Sequence, residues 1–288
     1  MKDLNYQLKT LCKRNRDGGY STQVTRSRIL DQMAHQLNEL GYQKMSPTSL
    51  KPKHVEALVN LWDKQGISVG TVKNRMAVLR WWAGKVNKPS IMARKNSAYK
   101  IAERSLVSKD SKAQTLQPAQ LKLIGDPLVK MSLRLQQAFG LRREEAIKFR
   151  PSFAAHDRWV VLKASWTKGG RARKIPILSP EQQTLLDEAR QLVRSGAMIP
   201  PDLRYVDQLR RYERVTAKAG MTKLHGLRHG YAQRRYEQIT GWACPAAGGT
   251  SVRGEGPQIA ALDRLARMKI SAELGHARPQ IASVYLGR

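Results

Sequence analysis

The sequence predicts a mainly α-helical protein with one small β-hairpin, an α+β fold arranged in two domains. Apolar residues recur at helical spacing through the first hundred residues and again through much of the second half. Two short apolar runs in the second half, joined by a glycine-rich turn, instead have the pattern of a strand pair. A polar, basic stretch without a sustained apolar face separates the halves, as is typical of a connection between domains.

Three helices are predicted in the N-terminal half. Their apolar stripes cover residues 29–40, 55–62 and 72–83, and the third helix has basic residues on its other faces. Gly41 and Gly66 fall where the first two helices should end, because glycine readily adopts the left-handed conformation that terminates a helix. The pattern therefore predicts a small helical domain.

The polar stretch begins near residue 87 and loses any apolar face over its second half. We place an interdomain linker at residues 105–114, where serine and lysine are frequent. A helical N-terminal domain then spans residues 1–104, and a second, mixed domain spans residues 115–288.

The second domain is predicted to be helical around one hairpin. Residues 159–162 and 175–178 are the predicted strands, and the turn between them contains Lys168-Gly169-Gly170. A glycine-rich segment at residues 241–257 is too long for a simple connection. Helices are predicted at residues 117–125, 127–140, 180–195, 203–219, 225–239 and 258–274.

The chain carries 52 Lys and Arg against 22 Asp and Glu, a formal net charge of +30. Residues 1–110 contribute +13 and residues 111–288 contribute +17, so the excess is not confined to a tail. Such a charge repels itself unless the protein meets a polyanion, and both halves are expected to face it. A basic binding protein without chemistry and an enzyme on nucleic acid both fit this balance. An anionic membrane is disfavoured, because no long amphipathic stretch has a bulky apolar face.

Cysteine usage and the absence of apolar runs bear on the compartment. Cys12 and Cys244 form neither a disulfide framework nor a zinc-binding C-x-x-C pair. The first residues lack the apolar core of a signal peptide, and no apolar run reaches the length that spans a bilayer. We therefore expect a cytoplasmic protein with no membrane partner.

Seven residues of the second domain form an ordered set. A glutamate follows an arginine by three residues, a lysine lies in the hairpin turn, and the motif H-x-x-R opens a helix. L-G-H ends the last predicted helix, and a tyrosine comes nine residues after that histidine. Each alone has an ordinary structural explanation, such as a solvated helix start, a turn lysine or a buried aromatic ring. The set is Arg142, Glu145, Lys168, His225, Arg228, His276 and Tyr285.

In this order the seven residues resemble the tyrosine recombinase (phage integrase) family, from about residue 115 to the end. The basic helical half before them is similar to the family's core-binding (SAM-like) domain, although many helical DNA binders share that likeness. The resemblance implies an integrase of a mobile genetic element, a site-specific recombinase that cleaves and rejoins double-stranded DNA at attachment sites. It implies a 3′-phosphotyrosine intermediate and no cofactor, metal or ATP. It also implies a homo-oligomer on DNA, a tetramer in the synapse, with an accessory DNA-bending or directionality factor.

The chemistry of phosphodiester cleavage explains why arginine and tyrosine are needed. Arg142 and Arg228 can each present a planar fork of donors to the phosphate oxygens, where negative charge accumulates during attack. The resemblance makes Tyr285 the nucleophile. The phosphotyrosine ester conserves the energy of the broken bond, so religation needs no ATP.

The other four residues would move protons or support the site. In the family the hairpin lysine, here Lys168, protonates the leaving 5′-oxygen. His225 would assist proton transfer at the tyrosine, since imidazole gains and loses a proton near neutral pH. His276 would hydrogen-bond the phosphate, and Glu145 would support the site from within.

Two other functions stay open. A type IB topoisomerase uses the same chemistry without exchanging DNA partners, but the small helical N-terminal half matches integrases better. A non-catalytic DNA-binding protein would need neither Tyr285 nor the two arginines. The interval of 48 residues from Arg228 to His276 is longer than the resemblance leads one to expect. The excess, at residues 241–257, either contacts DNA or a neighbouring subunit or is a disordered insertion, and the last is favoured.

Overall fold

A computed structural model gives the fold of residues 3–105, 107, 110–276 and 278–288. The chain separates into two compact units, Met1–Ser105 and Leu106–Arg288, each with a hydrophobic core of its own. The predicted linker at residues 105–114 includes residues 106, 108 and 109, which lie outside the described residues. No helix in the described ranges is long and apolar enough to cross a membrane.

Two fully buried tryptophans lie at the centre of the N-terminal unit. The indole N–H of Trp62 donates to the side-chain oxygen of Gln36, and that of Trp82 donates to the carbonyl of Pro47, both at 3.0 Å. Each buried ring therefore has a partner for its one polar group. The helices of this unit are α1 (Asp3–Arg14), α2 (Tyr20–Glu39), α3 (Pro52–Lys64) and α4 (Val69–Lys85). The last three correspond to the predicted helices, whereas α1 lies outside the predictions.

The C-terminal unit packs helices around a two-stranded antiparallel sheet. The predicted fold class, mainly α with one small β-hairpin, is confirmed. Its strands are β1 (Trp159–Leu162) and β2 (Arg173–Pro176). Its helices are α5 (Pro118–Lys122), α6 (Pro127–Phe139), α7 (Arg143–Ile147), α8 (Pro151–Ala154), α9 (Pro180–Val193), α10 (Tyr205–Lys218), α11 (Gly226–Thr240), α12 (Pro257–Glu273) and α13 (Ser283–Leu286).

The second strand begins two residues earlier than the prediction of 175–178. Trp159 pairs with Pro176 and Leu162 pairs with Arg173, which places Arg173 on the same buried face as Ile175. The prediction followed the apolar run alone and is wrong at this boundary. Arg173 can lie on the inner face of β2 because it forms hydrogen bonds to the buried carboxylate of Glu145.

Helix α11, which carries the H-x-x-R motif, is fixed on several sides by α6, α12 and α13. Gly140, in the turn from α6 to α7, has a positive φ of 59°, and a Cβ there would lie 2.5 Å from the ring of Tyr231. Only glycine therefore allows this turn to pack against α11. The hydroxyl of Tyr231 donates to Glu273 at 2.7 Å, which ties α11 to the end of α12.

Candidate active site

Six of the seven predicted residues lie together beside the first turn of α11. They lie at helix ends and in turns, where some main-chain N–H and C=O groups have no hydrogen-bond partner within a helix. The residues come from four separate parts of the chain, so the cluster depends on the tertiary fold. They are Arg142 and Glu145 at the start of α7, His225 and Arg228 at the start of α11, His276 after α12, and Tyr285 in α13.

Arg228 is at the centre of this cluster and is only 1% exposed. Its Nη1 donates to the carbonyl of Gly140 at 2.5 Å, and its Nη2 donates to the carbonyl of Leu274. Its Nε lies 3.3 Å from the hydroxyl oxygen of Tyr285, to which it donates. Burial lowers the pKa of Arg228 to about 10, so the guanidinium remains a cation at neutral pH. A permanent positive charge therefore lies within hydrogen-bond distance of the Tyr285 oxygen.

Glu145 is fully buried and accepts hydrogen bonds from two arginines. The main-chain N–H of Arg142 donates at 2.7 Å and its Nη1 at 2.8 Å, while Arg173 donates through both terminal nitrogens at 2.7 and 2.6 Å. Burial alone would raise the pKa of Glu145. The hydrogen bonds and charge of Arg173, with the charge of Arg228, lower it instead to about 2. Glu145 is therefore an anion that holds Arg142 in place.

Arg173 is a functional candidate that the sequence analysis missed. Its side chain is buried on the inner face of β2, and it forms the bidentate ion pair with Glu145. Two-residue alternation with the buried Ile175 is the signal that could have found it. Starting the strand at residue 175 left Arg173 outside the sheet.

Tyr285 is 5% exposed and is surrounded by imidazole rings. Its hydroxyl oxygen lies 3.3 Å from Nε2 of His276. The ring centroids of His229, His276 and His225 lie 4.6, 5.6 and 6.1 Å from that of the tyrosine. His229 follows Arg228 directly and lay outside the predicted set. The tyrosine oxygen thus has an arginine donor and an imidazole nitrogen within hydrogen-bond reach.

The three imidazoles near Tyr285 are neutral at pH 7. Burial, followed by the charges of Arg228 and Arg142, lowers the pKa of His276 to about 4. Burial lowers the pKa of His229 to about 4. Burial and Arg228 also lower the pKa of His225. Each ring can therefore accept a proton, and none adds a positive charge to the resting site.

The DNA-free protein should lose stability as the pH falls below about 6.5. The pKa values of His229 and His276 in the folded protein lie below the value of histidine in the unfolded chain. Between these values the unfolded chain binds protons that the folded chain does not. Stability is thus full above about pH 6.5 and declines toward pH 4. Thermal unfolding midpoints from pH 8 to pH 5 measure this, and His276→Gln should flatten the decline. The same substitution at the exposed His156 is the matched control, and an unchanged slope in His276→Gln would contradict the assignment.

Lys168 is the one predicted residue that the structure does not bring into the cluster. It is exposed in the turn between β1 and β2, which bends through positive φ values of 84° and 64° at Gly169 and Gly170. Within the part of the chain that the structure describes, no hydrogen bond or ion pair involves Lys168. The hairpin itself is anchored to the site five residues later, at Arg173.

The glycine-rich segment at residues 241–257 is not a disordered insertion over its first half, and that expectation is wrong there. Cys244 is fully buried in the core of the unit. The turn Pro245–Ala247 packs against α13, so closely that a Cβ on Gly287 would lie 2.7 Å from the main-chain nitrogen of Ala246. The segment therefore supports the short helix that carries Tyr285.

No group of three or more His, Cys, Asp or Glu side chains within residues 3–105, 107, 110–276 and 278–288 could hold a metal ion. Among the described residues, the side chains of the site are arginines, histidines, one glutamate and one tyrosine. Such a set can bind an anion, hold a nucleophilic oxygen and accept its proton.

Solved structures share this fold at low sequence identity. A lambda integrase dimer bound to a COC′ core site superposes with a TM-score of 0.65 at 16% identity, covering 99% of this chain and 78% of that chain. XerH recombinase bound to a palindromic difH substrate gives 0.59 at 17%, covering 99% and 81%. The Tn1549 transposon integrase in complex with circular intermediate DNA gives 0.57 at 14%, covering 100% and 96%. No curated protein matches the sequence.

Family models match most of the chain. Residues 1–89 match the N-terminal domain of phage integrases, and residues 102–234 match the integrase model. The family models and the fold together identify a tyrosine recombinase. The chain belongs to the phage integrase family and is an enzyme, a site-specific DNA recombinase. The family predicted from the order of the seven residues is thereby confirmed.

Proposed function

We propose that this recombinase cleaves DNA by attack of the Tyr285 oxygen on the scissile phosphorus. The phosphorus–O5′ bond breaks, which leaves a 3′-phosphotyrosine and a free 5′-hydroxyl. Attack of another 5′-hydroxyl on this ester reverses the step and releases the tyrosine. One observation carries the proposal: the hydroxyl oxygen of Tyr285 lies 3.3 Å from both Nε of Arg228 and Nε2 of His276.

Arg142 and Arg228 bind the phosphate oxygens in this proposal. Both side chains converge on Glu145, and Arg142 is one-fifth exposed, which leaves part of its guanidinium open to DNA. Donors already held in place lose little order when charge develops on the phosphate, and this is where much of the rate enhancement arises.

The distances favour His276 over His225 as the acceptor of the Tyr285 proton. Nε2 of His276 is within hydrogen-bond reach of the hydroxyl, whereas no hydrogen bond among the described residues joins the His225 ring to Tyr285. A neutral His276 has the protonation state of a base. In this proposal His225 is left to contact the phosphate, so the two histidines exchange the roles expected from the resemblance.

A covalent trap tests the whole proposal. On a nicked suicide substrate the cleaved fragment diffuses away, so an enzyme of this type accumulates a covalent protein–DNA band whose tryptic map should contain Tyr285. A non-catalytic binding protein would give no band. Exchange of strands between two labelled duplexes would then separate a recombinase from a topoisomerase, which only relaxes supercoiled plasmid.

We also propose partners for the reaction. The structural relatives include a lambda integrase tetramer bound to a Holliday junction, which supports a tetramer of this chain on double-stranded DNA. The net charges of +13 on residues 1–110 and +17 on residues 111–288 support binding of DNA by both parts of the chain. We further propose that the enzyme integrates or excises a mobile element in the cytoplasm, together with an accessory DNA-bending or directionality factor.

Lys168→Ala should cleave ordinary DNA roughly 10²–10⁴-fold more slowly than wild type. Its cleavage rate should recover on a substrate in which a bridging sulfur replaces the leaving 5′-oxygen. We propose that Lys168 protonates the leaving oxygen once the hairpin closes on DNA, and a sulfur leaving group scarcely needs that proton. Single-turnover cleavage of both substrates measures the effect. The matched control is Lys174→Ala, an exposed lysine of the same hairpin, which should cleave normally. Failure of Lys168→Ala on the sulfur substrate would count against the general acid.

A further inference from the structure

Glu145 has all of its acceptor positions filled. A carboxylate offers about four lone-pair positions for donors. Its Oε1 accepts from Nη1 of Arg142 at 2.8 Å and from Nη1 of Arg173 at 2.7 Å. Its Oε2 accepts from the main-chain N–H of Arg142 at 2.7 Å and from Nη2 of Arg173 at 2.6 Å. Arg173 therefore supplies half of the donors to this buried anion.

Arg228 stands just beyond hydrogen-bond reach of the same carboxylate. Its Nη1 lies 4.0 Å from Oε2 of Glu145 and donates instead to the carbonyl of Gly140. Both charged groups are almost completely buried, where an unfilled acceptor attracts a cation strongly. Without Arg173, two acceptor positions would open, and Arg228 would turn toward Glu145 and away from Tyr285.

Arg173 also joins three segments of the site. Besides its bonds to Glu145 in α7, its Nε donates to the carbonyl of Glu273, the last residue of α12, at 2.8 Å. Two residues on, Gly275 has a φ of 68°, and a Cβ there would lie 2.8 Å from Cδ of Arg173. The guanidinium thereby connects β2, α7 and the main chain that leads into His276.

We propose that Arg173 is a positioning residue for DNA cleavage, which fills the acceptor positions of Glu145 that would otherwise capture Arg228. In doing so it keeps Arg142 on Glu145 and Nε of Arg228 on the Tyr285 oxygen, where the scissile phosphate binds in the proposed function. The inference rests on the proposed function of these two arginines. Arg173 itself touches neither the phosphate nor Tyr285 in this mechanism.

Arg173→Met should lower the single-turnover cleavage rate by roughly 10²-fold, comparable to the loss of a phosphate donor. Its affinity for duplex DNA should stay within a few-fold, because many other basic groups bind DNA. The oxygen and 5′-sulfur substrates should be affected alike, which separates this defect from that of Lys168→Ala. Normal cleavage by a folded Arg173→Met would overturn the proposal, and so would recovery on the sulfur substrate.

Arg173→Lys is the conservative variant and keeps the test open should the Met variant not fold. A lysine retains the charge but cannot hold both oxygens of Glu145 in one plane, so an intermediate rate is expected. Arg134→Met is the matched control, because it removes another bidentate arginine–glutamate pair of the same unit, with Glu188, outside the site. If Arg134→Met and Arg173→Met lowered cleavage equally, Arg173 would be merely structural.

The pH profile gives a readout that a merely structural role would not move. Arg173 lowers the pKa of Glu145, so weaker donation from Arg173→Lys raises that pKa toward its ordinary value. Protonated Glu145 releases Arg142, and the acidic limb of the cleavage rate should move to higher pH than in wild type. Rates are compared from pH 4 to pH 8 at a temperature where both proteins stay folded, and an acidic limb at its wild-type position in Arg173→Lys would overturn the proposal. Five charged or titratable groups face Glu145. Three are cations: Arg142 at the start of α7, Arg173 in β2 and Arg228 in α11. Two are neutral histidines: His225 just before α11 and His276 after α12.

Failure of this inference and failure of the proposed function give different results. A covalent adduct that forms at a residue other than Tyr285 refutes the proposed function, whatever the Arg173 variants do. A normal adduct at Tyr285 in wild type, together with full activity of Arg173→Met, refutes only the positioning role.

Discussion

Tyr285→Phe should bind duplex DNA as wild type does and form no covalent adduct. The substitution removes only the hydroxyl oxygen, which lies 3.3 Å from Arg228 and from His276, and leaves the aromatic ring packed in place. Loss of the attacking atom of a covalent mechanism costs on the order of 10⁶ in rate. A suicide substrate followed by denaturing gel electrophoresis measures the adduct, and a gel-shift titration measures binding.

Two other tyrosines, both in α11, provide matched controls. The hydroxyls of Tyr231 and Tyr236 are buried and donate to Glu273 and Asp263 at 2.7 and 2.6 Å. Tyr231→Phe and Tyr236→Phe should therefore unfold at lower temperature but still form the adduct. An adduct of normal yield in Tyr285→Phe would show that another residue is the nucleophile.

The residues of the candidate site were predictable where their relation is local along the chain. Arg142 and Glu145 are three residues apart, as are His225 and Arg228, so each pair shares one face of a helix start. Their order along the sequence then indicated the family. Tertiary packing adds what spacing cannot give, namely that the carbonyl of Gly140 is a hydrogen-bond partner of Arg228.

Arg173 could not be found from local spacing. Its partner Glu145 is 28 residues earlier, and the pairing depends on the register of β2. A charged residue beside an apolar run is usually placed at the surface, since an unpaired buried charge is costly. Only the fold shows that a carboxylate meets it.

Helix prediction succeeded where an apolar stripe extends over several turns, as in α3 and α4. The helices α7, α8 and α13 have four or five residues, too few for a period of 3.6 to become visible. The packing of Cys244 against the core was equally hidden, because a glycine-rich sequence by itself indicates a loop. That packing brings the segment next to the helix of Tyr285.

Arg142→Ala should slow cleavage by about 10²–10³-fold while binding stays nearly unchanged. The side chain is one-fifth exposed and its only ion pair among the described residues is with Glu145, so its removal leaves the core of the unit intact. The loss should persist on the 5′-sulfur substrate, because the phosphate oxygens still lack their donor when the leaving group is improved. Arg143→Ala, which breaks the exposed pair with Glu213, is the matched control and should cleave normally.

Arg228→Lys tests the second donor with the charge retained. A lysine cannot hold the carbonyls of Gly140 and Leu274 and still direct a donor at Tyr285, because its ammonium lacks the planar fork of a guanidinium. We expect a loss of about 10²–10³-fold in cleavage, together with a lower unfolding temperature, since two buried carbonyls lose donors. Single-turnover rates measured well below that unfolding temperature separate the two effects. Cleavage near the wild-type rate in either arginine variant would mean that the phosphate binds elsewhere.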